Sequence, residues 1–260
     1  MAKCLPAIDV ISSPVTALPF GQQINQIVAW AKERKSKFVC VANVHMLMEA
    51  YWREDLGSVL RQADIVTPDG MPLVWMMRLL GATTQDRVAG LDILFATAKA
   101  CSETNVSLFF VGSEQPVLSR MRQRLMQEFP QLQIAGMQPL PFRPLTPLED
   151  KVLVEQINNS GAGIVYVSLG CPKQEYWMAQ HQGKVSAVMI GLGGAFPVYA
   201  GIQKRAPRFI RELGLEWFYR LVQEPKRLWR RYGSTIPPFV WLAMKQLWAH
   251  RCSQSQELPS

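Results

Sequence analysis

Over its first 200 residues the chain repeats one pattern: a short run that is apolar at nearly every position, then an amphipathic stretch, then another apolar run. The apolar runs fall at 38–41, 65–67, 106–111, 132–135, 164–169 and 185–190. The helical patterns between them fall at 44–56, 71–80, 91–101, 116–129, 147–159 and 173–182. Continuously apolar runs suit strands buried on both faces, and a helix between successive strands is the connection that parallel strands require. The spacing predicts an α/β fold, with a largely parallel sheet and helices on both faces. Ligands of such sheets gather at the carboxyl ends of the strands. Asn43, Asp69, Gly112 and Gly170 each stand just past a predicted strand end, so four distant segments share one address.

Composition sets the limits of that fold. The 260 residues are 48% hydrophobic and 18% charged, enough for one large α/β domain with an appendage and unlike a disordered chain. The longest apolar stretches fall short of the roughly 18 residues a membrane span needs. The start, MAKCLPAIDVISSP, has no continuous apolar segment, so no signal peptide is expected. Cysteines at 4, 40, 101, 171 and 252 form no CxxC pair and no Cys/His cluster. Disulfides and structural zinc are not expected, and reduced thiols fit a cytoplasmic protein.

The net charge of +8 is concentrated at one end. Residues 1–200 hold 17 Lys/Arg and 16 Asp/Glu, whereas residues 201–260 hold 11 and 4. The same last 60 residues carry Trp217, Trp229, Trp241 and Trp248, half of the tryptophans. This shift predicts a core over 1–200 and a basic, Trp-rich appendage over 201–260. Within the appendage, 207–231 reads as two helices, with Pro207 and Pro225 in their first turns. The stretch STIPPFVWLAMKQLWAHR follows, apolar and aromatic but interrupted by Pro237-Pro238 and Lys245. It suits an anionic membrane surface, with rings at headgroup depth and cations near phosphates.

Several segments carry candidate chemistry. In ADIVTPDGMPLVW a carboxylate, Asp69, stands where a strand ends and a helix begins. It fits a turn residue or helix N-cap, and it also fits a rigidly held general base. In SLGCPKQEYW, Gly170 permits close backbone approach, a helix N-terminus with Lys173 beside it could meet an anion, and Gln174 adds a neutral hydrogen bond. The same residues fit an ordinary strand-to-helix turn. IGLGGAF, with Gly193 and Gly194, is neither a GxGxxG nor a P-loop and suits a small-residue turn packed on neighbouring backbone. Arg87 precedes a predicted helix. His45 and His181 have no partner at metal-ligand spacing and suit packing or surface roles. No Asp-x-Asp pair, Gly-x-Ser-x-Gly elbow or zincin motif is found, and no metal or cofactor is expected.

Taken together, VANVHMLMEA, ADIVTPDGMPLVW, DRVAGLDI, SLGCPKQEYW, GLGGAF and KRAPRFIRELGLEWFYRLVQEPKRLWRR resemble the WecG/TagA/CpsF glycosyltransferase family, in consistent order over roughly residues 5–232. The resemblance implies a Rossmann-like core whose C-terminal appendage helps complete the site and meets the membrane. It implies an inverting, metal-independent enzyme on the cytoplasmic face, peripheral on the inner side of the plasma membrane. Such an enzyme moves a sugar from a UDP-sugar donor to a polyprenyl-diphosphate-linked sugar in cell-envelope polysaccharide biosynthesis. By position Asp69 falls on the proposed base, Asn43, Arg87 and Gln174 on polar site residues, and Arg220, Arg227 and Arg230 on appendage arginines that meet the diphosphate. Two positions depart from the family. Val41-Ala42-Asn43 stands where relatives often have Thr-Pro-Asn, and Pro197 where many have Asp.

Two other function classes make different predictions. A non-catalytic UDP-sugar-binding module with a membrane tail would bind the nucleotide and transfer nothing. A nucleic-acid-binding protein would use the basic tail without an apolar face, and FVWLAMKQLW argues against nucleic acid as a partner. A homo-oligomer is compatible with all three.

Overall fold

The computed structural model describes residues 5–256, and Cys4 lies outside them. A hairpin of β1 (Ala7–Val10) and β2 (Ser13–Thr16) leads into α1 (Phe20–Lys32), β3 (Lys37–Ala42), α2 (Val44–Trp52), α3 (Glu54–Gln62) and β4 (Ile65–Pro68). The chain continues through α4 (Met71–Leu79), α5 (Gly90–Thr104), β5 (Leu108–Gly112), α6 (Gln115–Glu128) and β6 (Ile134–Gln138). Next come α7 (Pro147–Asn159), β7 (Ile164–Ser168), α8 (Lys173–His181), β8 (Val188–Gly191) and α9 (Ala195–Tyr199). The C-terminal helices are α10 (Arg208–Glu212), α11 (Glu216–Gln223) and α12 (Pro225–Gln256).

Six strands form one sheet in the order β4-β3-β8-β7-β5-β6, and every pairing in it is parallel. Side chains of successive strand residues go to opposite faces. In β3, Phe38, Cys40 and Ala42 join one hydrophobic core, while Val39 and Val41 join the other. Val165 and Val167 of β7 divide from Ile164 and Tyr166 in the same way. Both faces are therefore buried, which is why the strands read as unbroken apolar runs. The outer edge of β4 is covered by the hairpin, where the Thr16 hydroxyl accepts from the Val66 N–H at 3.0 Å. The arrangement is the Rossmann-like α/β sheet expected.

Local differences from the expected elements have local causes. The single helix expected over 44–56 is two helices, because Arg53 takes an extended conformation (φ −126°, ψ 102°) between α2 and α3. The expected strand at 132–135 starts later, at Ile134. The hairpin β1–β2 turns through Ile11 and Ser12, both at positive φ, without the Asn-Gly or Asp-Gly that marks such turns. At α7 the residues match their expected bounds because the start is fixed by a capping box, in which Thr146 and Glu149 satisfy each other's backbone N–H groups.

The largest difference lies at the C-terminus. Pro237-Pro238 does not break the chain, and α12 runs 32 residues through both prolines. Two prolines remove two ladder hydrogen bonds and crowd the carbonyls one turn back. Those carbonyls belong to Gly233 and Ser234. The hydroxyls of Ser234 and Thr235 both donate to the Arg231 carbonyl just before the interruption. Beyond it Phe239 and Ala243 are buried as α12 packs along α2. The amide of Gln246 then clamps the hairpin: its Oε1 accepts from the Ile11 N–H at 3.0 Å and its Nε2 donates to the Asp9 carbonyl at 2.6 Å.

Candidate functional site

The carboxyl ends of β3, β4 and β8, the turn before α8 and the C-terminal helices enclose one cleft of about 740 Å³. A separate open hollow of about 560 Å³ between β5, β6 and α7 has no cation among its described lining side chains. The cleft is rich in them.

Asp69 sits on the cleft floor, and its turn is held from both sides. Its own N–H donates to the Ala42 carbonyl at 2.7 Å. The Pro68 carbonyl accepts from the Val88 N–H at 3.0 Å, and the Thr67 hydroxyl donates to the Val88 carbonyl at 3.0 Å. Gly70, at φ +118°, lets the chain reverse into α4. Removal from water pushes the Asp69 carboxyl up to about 7, and the Glu216 carboxylate pushes in the same direction. Arg87, Arg220 and the Gly90 N–H pull the other way without cancelling the shift. A carboxylate with this affinity for a proton takes one readily near neutral pH.

Arg87 is the hinge of an ion-pair chain between the sheet and the C-terminal helices. Its Nη1 donates to Glu216 Oε2 at 2.7 Å, and its Nη2 to Asp92 Oδ2 at 3.2 Å. Arg205 donates to the other oxygen of Asp92. Glu216, on α11, therefore lies beside both Arg87 and Asp69. Arg220 reaches the Gly194 carbonyl at 3.4 Å, and Arg227 pairs with Glu224. Arg231 and Arg211 also line the cleft, and both are held below the usual arginine range, first by burial and also by neighbouring arginines. The Nε of Arg231 is buried without a partner. Guanidinium groups this close, with too few carboxylates between them, make a site for a multiply charged anion.

The other expected residues divide. Asn43 lines the cleft and caps α2, its Oδ1 accepting from the Met46 N–H at 3.2 Å. Gln174 is buried, its Oε1 accepting from the Gly193 N–H at 3.2 Å and its Nε2 donating to Glu175 at 2.8 Å. A Cβ on Gly193 would stand 2.7 Å from Gln174 Oε1, so this glycine is there for close packing on Gln174. Gly170 and Gly194 line the cleft too. Lys173 does not: it is exposed on the first turn of α8 and away from the cleft lining. Arg230 is likewise outside, its guanidinium lying over the Trp229 ring at 5.9 Å. Leu228 and Arg231 face inward on α12, which turns the intervening Arg230 towards solvent. Arg231, the next residue, lines the cleft.

Sequence reasoning misses Glu216, Arg205 and Arg211, and it gives His45 no part in the site. His45 lines the cleft with Nδ1 buried and without a hydrogen-bond partner, Glu49 Oε1 lying 4.0 Å away, and burial together with Arg231 pushes its imidazole down to about 4. His181 has the packing role expected: it is buried, with Nδ1 2.7 Å from the Trp177 carbonyl and Nε2 2.8 Å from an Asp150 carboxylate oxygen, both acceptors for a ring N–H. Both departures from the family pattern, Val41 and Pro197, line the cleft. Among the described residues no group of three His, Cys, Asp or Glu side chains could hold a metal ion. No described helix is long and apolar enough to cross a membrane.

Comparison with known proteins places this geometry among relatives. The model of the glycosyl transferase WecG/TagA/CpsF family matches residues 8–253. The chain is 33% identical over 244 residues to an N-acetylglucosaminyldiphosphoundecaprenol N-acetyl-beta-D-mannosaminyltransferase of Bacillus spizizenii, covering 94% of this chain and 91% of that one. It is 32% identical to the protein of the same name from Bacillus subtilis, over 80% of this chain and 79% of the relative. A Staphylococcus aureus protein of that name is 28% identical, over 80% of each.

Proposed function

The chain belongs to the WecG/TagA/CpsF glycosyltransferase family, and on that premise we propose that it moves an N-acetylhexosamine from a UDP-sugar to the sugar of a polyprenyl-diphosphate-linked acceptor, with inversion and without a metal. One observation carries the proposal: a carboxylate poised near neutral pH shares its cleft with a cluster of arginines supplied by the C-terminal helices. The relatives' name supplies the first pair to assay, N-acetylmannosamine as the transferred sugar and N-acetylglucosaminyl-diphospho-undecaprenol as acceptor. Val41 and Pro197, at the two departing positions, bear on the choice of donor.

In this reading Asp69 takes the proton of the acceptor hydroxyl as its oxygen attacks the anomeric carbon. The bond from that carbon to the β-phosphate oxygen breaks, and UDP leaves with the electron pair. One base opposite the leaving group suffices for a single displacement, and the hydrogen-bonded turn around Asp69 fixes its position. The negative charge on the departing diphosphate is met by guanidinium groups, in a site where water is scarce and each interaction is correspondingly strong. Arg220, Arg227 and Arg231 are assigned to the two diphosphates, donor and acceptor. Glu216 and Asp92 hold Arg87 in place, and Gln174, fixed by Glu175 and Gly193, presents a rigid amide to the sugar.

We assign residues 1–200 to the catalytic core and 201–260 to an appendage with two duties, completing the cleft and docking on the anionic inner face of the plasma membrane. Trp241 and Trp248 are 65% and 72% exposed, which supports the second duty. The test is UDP release from UDP-N-acetylmannosamine with N-acetylglucosaminyl-diphosphate carried on a short prenyl chain. Wild type releases UDP only when the acceptor is present. Release at equal rates without acceptor, or none at all with a panel of UDP-sugars, overturns the assignment.

A further inference from the structure

The cleft does not end at the arginines. It continues outward between α4 and α12, and its chemistry changes along the way. Its inner part holds Asp69 and the guanidinium groups. Its outer part is lined by Trp75 and Leu79 of α4 and by Ile236, Val240, Met244 and Leu247 of α12. These α12 positions are spaced by four, four and three, one stripe of a helix. Among the described residues no charged side chain lines this part of the cleft beyond Arg231. Four of the six side chains are strongly exposed: Trp75, Leu79, Val240 and Met244. A soluble protein seldom leaves so many large apolar groups open along one trough unless something covers them.

We propose that this trough binds the apolar chain of the acceptor next to its diphosphate, so that the enzyme holds the first isoprene units of the lipid as well as the sugar. The inference rests on the lipid-linked acceptor proposed above. Three observations point to a chain of that chemistry rather than to the bilayer or another protein. The order along the cleft is base, arginines, apolar trough, and the order along such an acceptor is sugar, diphosphate, isoprenoid. The trough is continuous with the arginine cluster, so a diphosphate seated there delivers its lipid directly onto α12. Its dimensions suit a chain: from Arg231 to Leu247 the helix rises about 24 Å. The tryptophans suited to a membrane surface form a different stripe. Trp241 and Trp248 are seven residues apart and lie about 100° around the helix from Val240 and Leu247. One side of α12 is thus available to the bilayer while another grips the substrate.

The test compares two acceptors, N-acetylglucosaminyl-diphosphate on one isoprene unit and on four. Both are kept below their micelle-forming concentrations, without membrane or detergent. The readout is the ratio of kcat/KM for the long acceptor to that for the short one, which cancels differences in folded fraction. Wild type is expected to favour the long acceptor by at least tenfold, through KM. In Val240→Ser/Met244→Ser the ratio falls towards one, and in Trp241→Ala/Trp248→Ala it keeps its wild-type value. A wild-type ratio near one overturns the inference and leaves the glycosyltransferase reading intact. So does a serine variant that keeps the full preference, or a tryptophan variant that loses it. Transfer to neither acceptor refutes the proposed function, and the lipid site falls with it.

Discussion

Replacing Asp69 by asparagine should do two things at once: abolish most of the transfer and make the protein more stable. The Asp69 carboxyl is raised from 3.8 to about 7, chiefly because the fold removes it from water. A shift of about three pH units corresponds to at most about 4 kcal/mol, net of the attraction of Arg87 and Arg220, because the half-buried side chain keeps some contact with solvent in the cleft. The folded chain holds this proton more tightly than the unfolded chain. Below about pH 4 both states are protonated and the group costs nothing. Between about 4 and 7 the unfolded chain ionises first, and stability falls as pH rises. Above about 7 both are ionised and the full cost is present. The amide of the Asp69→Asn variant carries no charge and escapes this cost. At pH 8 the variant should gain up to about 4 kcal/mol, and at roughly 2–4 °C per kcal/mol for a chain of this size its unfolding midpoint should rise by up to roughly 8–16 °C. At pH 4 the two proteins should melt together. Transfer at pH 7.5 should drop by about 10²–10⁴-fold, the usual contribution of a positioned base. Calorimetry at the two pH values, with UDP release on the same samples, reads both effects. Equal stability at pH 8 would show that the carboxylate is well solvated, and near-normal transfer would show that Asp69 only shapes its turn.

The remaining expectations concern its neighbours. Glu216→Gln removes a negative charge that raises the Asp69 carboxyl, so the acid limb of the kcat/KM profile should move to lower pH; an unmoved limb would mean that Glu216 only anchors α11. Arg231→Ala should lower transfer by about 10²-fold, the scale of losing one donor to a charged transition state, whereas Arg230→Ala should change it little; the reverse ranking would restore Arg230 to the site. Gly193→Ala puts a Cβ 2.7 Å from Gln174 Oε1, and a raised KM for the UDP-sugar with a lowered unfolding midpoint is the expected pair of readings. Transfer should persist in EDTA; loss restored by Mg²⁺ or Mn²⁺ would demand metal ligands outside the arrangement described.

How much of this was visible beforehand depends on how local each signal is. Five of the six sheet strands stood out because both of their faces are buried, which leaves continuous apolar runs; the edge strand β6 is only half-buried and was expected two residues early. The hairpin did not stand out, because its turn is Ile11-Ser12 and its strands are four residues each. Asp69, Asn43 and Gly170 could be placed from strand ends, since a parallel sheet brings those ends to one side; Gly112, at the end of β5 further along the sheet, shares that side but is not in the cleft lining. The cations were harder. The charge count located the arginine surplus in the last 60 residues, but which arginines face inward depends on how α12 docks. Leu228, among the arginines, and Phe239 and Ala243, about two to three turns beyond Arg231, are the buried apolar residues of α12 at that docking face. For this reason the sequence does not show that Arg230 lies outside the cleft lining, and a helix start does not say which way the Lys173 side chain turns. Pro237-Pro238 looked like a stop because proline rules describe an isolated helix. Packing along α2 and the Gln246 clamp lie outside any short window of sequence.

That clamp also orders events in time. Gln246 bonds to Asp9 and Ile11, so the hairpin made first is secured by a residue made 237 positions after Asp9. Contacts this far apart in sequence form late, because the intervening chain must be gathered before they can close. During synthesis the sheet and its helices can assemble while α11 and α12 are still absent. The nascent enzyme therefore has its carboxylate turn before it has Glu216 or the arginines of α11 and α12. On the proposed function it should stay chemically silent until its final helix settles, and a chain interrupted before that helix should transfer no sugar.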